Sequence, residues 1–161
     1  MSNPRRPWYG RRVSRIRPAL LASVLSLAVA GCGGPLLLLP GGRLDGETRT
    51  APDDWSFTDA VDTIQIETRP ADPYSVNLWV TEADGALYLH AGATRSRWVE
   101  HLEADPRLRL RVDDAIYQLA ATRVTEQAEF DRFSAAYEHK YGNPPRNPDV
   151  GEAYLFRLAA R

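Results

Sequence analysis

Residues 86–112, with the sequence ALYLHAGATRSRWVEHLEADPRLRLRV, decide the fold because three patterns follow one another there. Ala86–His90 is a short apolar and aromatic run, which predicts a strand. Thr94 or Ser96 can then cap a helix, because either hydroxyl can accept a hydrogen bond from a first-turn amide. Asp105 should end that helix, since the residue before a proline is disfavoured in the α region. The stretch therefore predicts a strand followed by a helix.

A second strand closes the stretch at Arg107–Val112, where leucine or valine alternates with arginine without a fault. In a strand, the three apolar side chains lie on one face and the three arginines on the other. In the helix before it, Trp98 shares one face with Val99 and Leu102, which predicts that all three are core residues. Strand, helix and strand thus pack around one apolar layer.

The rest of the chain repeats these signals on both sides of the central stretch. An Asp84-Gly85 pair predicts a hairpin turn before Ala86. A second helix should begin after a Thr125 cap and stop at Gly142, and its apolar face should be core. The residues of that face are Phe130, Phe133, Tyr137 and Tyr141. The predicted strands are 61–68, 75–81, 86–90, 107–112, 115–124 and 153–158. Six strands and two helices indicate an α+β domain with a mostly antiparallel sheet that closes on itself.

The first 31 residues have the order of a secretory signal: six arginines, an apolar segment over 18–30, then Val29-Ala30-Gly31-Cys32. These last four residues resemble the lipobox of bacterial lipoproteins. The resemblance implies cleavage before Cys32 and a lipid anchor on that cysteine. Cys32 is the only cysteine in the chain. The alternatives are an ordinary signal cut nearby or a buried free thiol.

This interpretation divides the chain into a signal peptide at 1–31, a tether and N-terminal arm at 32–59, and a barrel domain at 60–161. We expect a bacterial cell-envelope protein, lipid-anchored on the periplasmic side. Gly33 stands where an aspartate would favour the inner membrane in enteric bacteria, so the resemblance favours the outer membrane. From Cys32 onward the chain has 14 basic and 21 acidic residues, a formal charge of −7. That charge argues against nucleic acid as a partner.

The order of elements from residue 64 to 141 resembles the split β-barrel of pyridoxamine-phosphate-oxidase-like and deazaflavin-dependent nitroreductase-like proteins. The residues that carry the resemblance are SVNLWV at 75–80, DGALYL at 84–89, RSRW at 95–98 and LEADPRL at 102–108. The resemblance implies a six-stranded split barrel, a flavin-type cofactor such as FMN or a deazaflavin, and a homodimer. It also implies oxidoreductase activity if the cofactor is retained.

In such families a basic residue in the loop that opens the first helix binds the cofactor phosphate. Here Arg95 and Arg97 match that place, with Thr94 and Ser96 beside them and Trp98 next. A helix start offers unpaired amides, and arginine offers a bidentate fork for phosphate oxygens. The alternative is that both arginines are solvated surface residues. His90 and Tyr74 complete the expected mouth for a small, flat, anionic ligand.

A different class of function stays open at this point: an envelope lipoprotein without catalysis, whose barrel binds another ligand or a protein partner. Residues 70–74 (PADPY) stand where these families have a run of Ser or Thr with glycine and basic residues. The three histidines, His90, His101 and His139, are not grouped by the sequence, so no metal site is expected. Trp79, Tyr88 and Trp98 can stack on a ring or belong to the core.

Overall fold

The computed structural model describes residues 39–161. The predicted signal peptide, the lipobox with Cys32 and the beginning of the tether lie outside the described residues. Within the described part, no helix combines the length and the apolar character that crossing a bilayer requires.

Eight strand segments and two α-helices make up the described domain. They are β1 (Glu47–Arg49), β2 (Thr63–Thr68), β3 (Tyr74–Trp79), β4 (Thr81–Ala83), β5 (Ala86–His90), α1 (Arg97–Ala104), β6 (Arg107–Val112), β7 (Ala115–Arg123), α2 (Gln127–Tyr141) and β8 (Leu155–Ala160). One-turn 3-10 helices lie at Ser56–Ala60 and Val150–Glu152.

The sheet has the strand order β3-β2-β6-β7-β8-β5-β4, and each neighbouring pair in this path is antiparallel. Its two edge strands follow each other in the chain with only Val80 between them. The sheet therefore curls until its edges meet at Val80, whose side chain is fully buried. This confirms the predicted α+β class with a curled, mostly antiparallel sheet and two helices.

The predicted number of six strands was wrong. The stretch read as one strand over 75–81 bends at Val80, and its continuation forms the separate strand β4. The other addition, β1, pairs parallel with β7 through Glu47 and Ala115, and all three of its residues are exposed. A strand without a buried face has no apolar alternation, so its sequence carries no periodic signal.

The C-terminal ends of both helices agree with the sequence predictions, whereas the N-terminal caps differ from them. Asp105 follows α1 in an extended conformation, and Gly142 follows α2 with a positive φ of 78°. Ser96 occupies the N-cap of α1, but its hydroxyl makes no capping bond. Glu126, and not the predicted Thr125, is the N-cap of α2. Both helices therefore rely on packing more than on side-chain caps.

The core lies inside the curl of the sheet and is closed by α1. The alternation of Arg107–Val112 is confirmed, because Leu108, Leu110 and Val112 are all buried. Trp98 is 5% exposed and packs on Phe156 with ring centroids 5.8 Å apart, so its predicted core position is confirmed. A second cluster packs α2 against β5 and β8 through Phe130 and Phe133.

A buried carboxylate binds the N-terminal arm to the barrel, in addition to the pairing of β1 with β7. Glu67 is 3% exposed, and its Oε2 accepts hydrogen bonds from the Leu44 amide at 2.7 Å and from Arg109 Nη1 at 2.6 Å. Leu44 itself is 1% exposed. Further along, Trp55 packs edge-on against Tyr117 at 5.0 Å. The arm up to residue 59 is thus part of the folded domain.

Candidate functional site

A groove of about 900 Å³ opens between the loop that joins β5 to α1 and the loop that follows α2. Its floor is His90 and its walls are formed by Trp79, Tyr137 and Tyr141. The first loop contributes residues 91–94, and the second contributes residues 143–147. These two loops are about fifty positions apart in the chain, so the groove exists only in the folded sheet.

One wall of the groove is a stack of aromatic rings. Trp79 and Tyr141 lie nearly parallel, with ring centroids 4.9 Å apart and an interplanar angle of 17°. Tyr137 packs on Tyr141 at 4.8 Å. Trp79 is 57% exposed, which is unusual for so large an apolar side chain. The stack therefore presents aromatic surface to a ligand.

The phenols of this wall stay protonated at neutral pH. The Tyr141 hydroxyl donates to the Val80 carbonyl at 2.7 Å, and burial raises the pKa of Tyr141 to about 12. Burial also raises the pKa of Tyr137. Neither ring brings a negative charge into the groove. Of the four aromatic residues predicted to form the core face of α2, Phe130 and Phe133 are buried, whereas Tyr137 packs against their cluster and, like Tyr141, is only half-buried.

His90 forms the floor of the groove with an uncharged imidazole. Its ring packs against Phe133 at 5.3 Å and Tyr137 at 5.9 Å. Burial lowers the pKa of His90 to about 4, so the neutral form dominates at pH 7. Its Nε2 atom is buried and has no hydrogen-bond partner among residues 39–161. The groove thus holds a polar atom whose bonding capacity is not used within the described chain.

At the start of α1, the two arginines predicted to bind a phosphate differ in their surroundings. Arg95 is bonded to Glu103, with 3.0 Å from Nε and 2.7 Å from Nη2 to the same carboxylate oxygen. Glu100 lies 3.5 Å from Arg95 Nη1. These bonds raise the pKa of Arg95 and engage its fork. Arg97 is exposed and does not line the groove.

The other residues expected at the mouth are spread over three places. Thr94 lines the groove beside His90, whereas the Ser96 hydroxyl is buried without a partner among the described residues. Trp98 lies in the core. Tyr74 packs edge-on against His101 at 4.9 Å, and the His101 Nδ1 lies 2.9 Å from the Thr68 hydroxyl. The structure therefore brings His90 and Thr94 together, but not Tyr74 or Trp98 with them.

Sequence reasoning missed Arg146 and the loop that carries it. Gly142 turns the chain with its positive φ, and the buried Pro145 anchors the loop to the domain. Arg146 lines the groove and is exposed. The signal that could have found it is the aromatic pair at positions 137 and 141, one helical turn apart, just before a proline-rich loop.

No group of three or more His, Cys, Asp or Glu side chains with the geometry of a metal site occurs in the part of the chain that the structure describes. His139 is exposed near the end of α2, while His90 and His101 lie at the groove and beside Thr68, respectively.

Comparisons with solved structures show which fold this is. HutZ, the heme storage protein of Vibrio cholerae, matches with a TM-score of 0.54 and 16% identity over 66% of this chain and 86% of that chain. A conserved hypothetical protein of Mycobacterium tuberculosis matches with a TM-score of 0.51 and 20% identity over 70% of this chain and 86% of that chain. A Listeria innocua protein assigned as a pyridoxamine 5′-phosphate oxidase matches with a TM-score of 0.51 and 9% identity over 65% of this chain and 87% of that chain.

These similarities confirm the expected split-barrel fold of the pyridoxamine-phosphate-oxidase-like proteins. At identities of 9–20% they show the fold alone. No known family of sequences matches the chain, and no curated protein matches it either.

Proposed function

We propose that the groove binds a flat conjugated ring, with FMN or a deazaflavin as the first candidates. The observation that carries this proposal is the exposed Trp79–Tyr141 stack above an uncharged His90. Aromatic rings stack on one another in offset, nearly parallel arrangements, and such pairs add about 0.5–1.5 kcal/mol beyond the burial of their area. The resemblance of the element order to the pyridoxamine-phosphate-oxidase-like proteins supports a flavin-type ligand, and the Listeria innocua neighbour has the same fold.

The residues of the groove fit such a ring. Trp79 and Tyr141 would hold one face of the ring, and the loop with Thr94 would close the mouth on the other side. His90 would meet the ring as a neutral imidazole. A bound flavin supplies hydride transfer, and the protein's part is to orient it and to exclude water. We therefore propose that the protein is an oxidoreductase if it binds a flavin.

The envelope location is a proposal that rests on the sequence. The basic segment, the apolar segment and the Val29–Cys32 lipobox support export and a lipid anchor on Cys32, which would place the domain on the periplasmic side. Acyl chains on one cysteine would hold the protein at a membrane surface. A homodimer stays a proposal as well, supported by the resemblance of the element order.

A titration of the purified full chain tests the ligand. FMN and a deazaflavin are added separately, and flavin absorbance and fluorescence are followed. We expect saturable binding with quenching of the flavin, because a ring stacked on an indole loses its emission. Trp79→Ala should weaken binding about fivefold or more, since stacking on aromatic side chains contributes about 1–3 kcal/mol per base in nucleic-acid complexes.

Phe57→Ala is the matched control for that variant. Phe57 is another exposed aromatic residue, 45% exposed, and it lies outside the groove. It should leave flavin binding unchanged. Absence of binding by both cofactors would contradict the flavin proposal and would favour an envelope lipoprotein without catalysis, whose barrel binds another ligand or a protein partner.

Heme is a second candidate, and His90 is the observation that favours it. A neutral imidazole is the form that ligates iron, and burial keeps His90 neutral at pH 7. The neighbour HutZ is a heme storage protein. A hemin titration that gives a sharp Soret shift, lost in His90→Gln, would support this candidate. Binding that persists unchanged in His90→Gln would exclude His90 as the ligand.

A further inference from the structure

The groove differs in charge from the rest of the domain. From Cys32 onward the chain has 21 acidic and 14 basic residues. Yet the described residues that line the groove include no aspartate and no glutamate, and they include one arginine, Arg146. His90 is neutral, and the two tyrosines stay protonated. Within residues 39–161, the lining of the groove therefore carries a single positive charge at pH 7 on a predominantly acidic domain.

Among the described residues, Arg146 is also one of the few basic side chains without a bonding partner. Within residues 39–161, most arginines bond to a carboxylate, a carbonyl or an amide, as Arg95 does to Glu103 and Arg109 to Glu67. Lys140 donates to three carbonyls. In the described chain only Arg43, Arg97 and Arg146 lack such a bond, and of these only Arg146 lines the groove. Its guanidinium is available to a ligand.

The loop that carries Arg146 has a restrained backbone before any ligand arrives. Gly142 ends α2 with a left-handed conformation, and two prolines precede Arg146 directly. Proline fixes its own φ and restricts the residue before it. Pro145 is buried, which anchors the loop to the domain. A preorganised arginine loses less conformational entropy on binding than one on a flexible loop.

We propose that Arg146 binds the anionic arm of the ligand, so that the groove selects flat rings that carry a phosphate or a carboxylate. Arginine suits this role because its planar fork donates two parallel hydrogen bonds to such groups. The aromatic wall stacks on the ring of the ligand, and Arg146 binds its anionic group. The inference rests on the proposed function and moves the anion contact from the start of α1 to the loop after α2.

Riboflavin and FMN separate the two parts of the site, because they share the ring and differ by one phosphate. Both are titrated into the purified full chain, wild type and variants, at constant ionic strength. Wild type should bind FMN about tenfold or more tightly than riboflavin, the effect of one charge-assisted contact. Arg146→Ala should remove this preference and leave riboflavin binding unchanged. Arg146→Lys should keep part of it, since the charge remains.

Two further variants decide between Arg146 and other cations. Arg43→Ala removes an exposed, unpaired arginine outside the groove and should keep the full preference for FMN. Arg97→Ala removes the competing candidate at the start of α1 and should keep it too. Loss of the preference in Arg97→Ala, with Arg146→Ala unaffected, would overturn the inference and restore the clamp that the sequence suggested.

Two other results of these titrations would each overturn a proposal. Equal binding of riboflavin and FMN by the wild type would overturn the role of Arg146 while leaving the flavin proposal standing. Failure of both ligands to bind would overturn the flavin proposal and this inference with it. A melting temperature of Arg146→Ala close to that of wild type checks that any change in affinity arises at the groove.

Discussion

His90 links the stability of the protein to pH at the residue scale. Its pKa is lowered to about 4 by burial, whereas an imidazole in the unfolded chain has a pKa of about 6.5. Between these two values the unfolded state binds more protons than the folded state. The contribution of neutral His90 to stability is therefore full above pH 6.5 and is lost as the pH falls towards 4.

We predict that this shows in urea unfolding at pH 7 and pH 5. The free energy of unfolding of the wild type should fall by about 1 kcal/mol more than that of His90→Gln, after allowing for solvent at the groove. The comparison between the two proteins cancels the titration of other groups. An equal fall in both proteins would mean that His90 is protonated in the folded state at pH 5.

A substitution at Trp98 tests whether this side chain belongs to the core. Its ring is 5% exposed and packs on Phe156. Trp98→Ala should lower the free energy of unfolding by about 3–5 kcal/mol, because it removes a large buried side chain and leaves a cavity. Chemical denaturation followed by circular dichroism measures it. A loss under about 0.5 kcal/mol, as surface substitutions give, would place Trp98 outside the core.

The residue scale also shows where sequence reasoning ends. The positions of Arg95 and Arg97 beside a helix start were read correctly, but the partner of Arg95 is Glu103, eight positions later. Periodicity places Tyr141 on the same helical face as Phe130. Tyr141 is the last residue of α2, however, and it is only half-buried. Which side chain neutralises an arginine, and where a helix leaves the core, depend on tertiary contacts that local patterns do not contain.

At the scale of elements, the N-terminal arm depends on Glu67. Glu67→Gln keeps the shape but removes the charge that Arg109 and the Leu44 amide share. It should lower the free energy of unfolding by about 1.5–3 kcal/mol, the usual contribution of hydrogen bonds to charged groups. Hydrogen exchange at the Leu44 amide should accelerate together with that loss.

Glu47→Gln is the control for this substitution. Glu47 pairs with Arg49, and both side chains are more than half exposed. An exposed pair contributes about 0–1 kcal/mol, so Glu47→Gln should change the stability little. If both variants lose the same amount, the arm does not depend on the buried carboxylate.

The elements themselves could be predicted where they bury one face. The alternation in Arg107–Val112 and the Asp84-Gly85 turn were readable because burial and backbone sterics act within a few residues. The exposed β1 and the bend at Val80 were not. Both are defined by partners far away in the chain: β1 by its pairing with β7, and Val80 by the meeting of the two sheet edges.

At the scale of the whole molecule, we propose that a lipid anchor on Cys32 holds the domain at a membrane. Cys32→Ser should leave the precursor uncut or release the protein from membranes, because serine provides no thiol for acylation. Membrane fractionation of cells that express the full chain measures this. Ser23→Ala, within the apolar segment, is the control and should remain with the membranes. Cys32→Ser protein that still fractionates with membranes would contradict the lipid anchor.

The fold class could be predicted, although the number of strands could not, because the order of strands and helices restricts the topology of a small domain. The site could not, since the groove joins two loops about fifty positions apart and its arginine lies in the second. The distribution of charge is likewise a property of the folded molecule. The part of the chain from Cys32 onward is acidic, yet among the described residues the groove is lined by one arginine and by no carboxylate.

Hydrogen exchange of the full chain, with and without saturating FMN, tests the central claim most directly because it locates the ligand. The account predicts slower exchange in peptides that cover residues 90–94 and 141–147, the two loops of the groove, and little change near the cavity formed by Arg49, Phe57 and Asp114. Protection confined to that second cavity, or no protection anywhere, would contradict it.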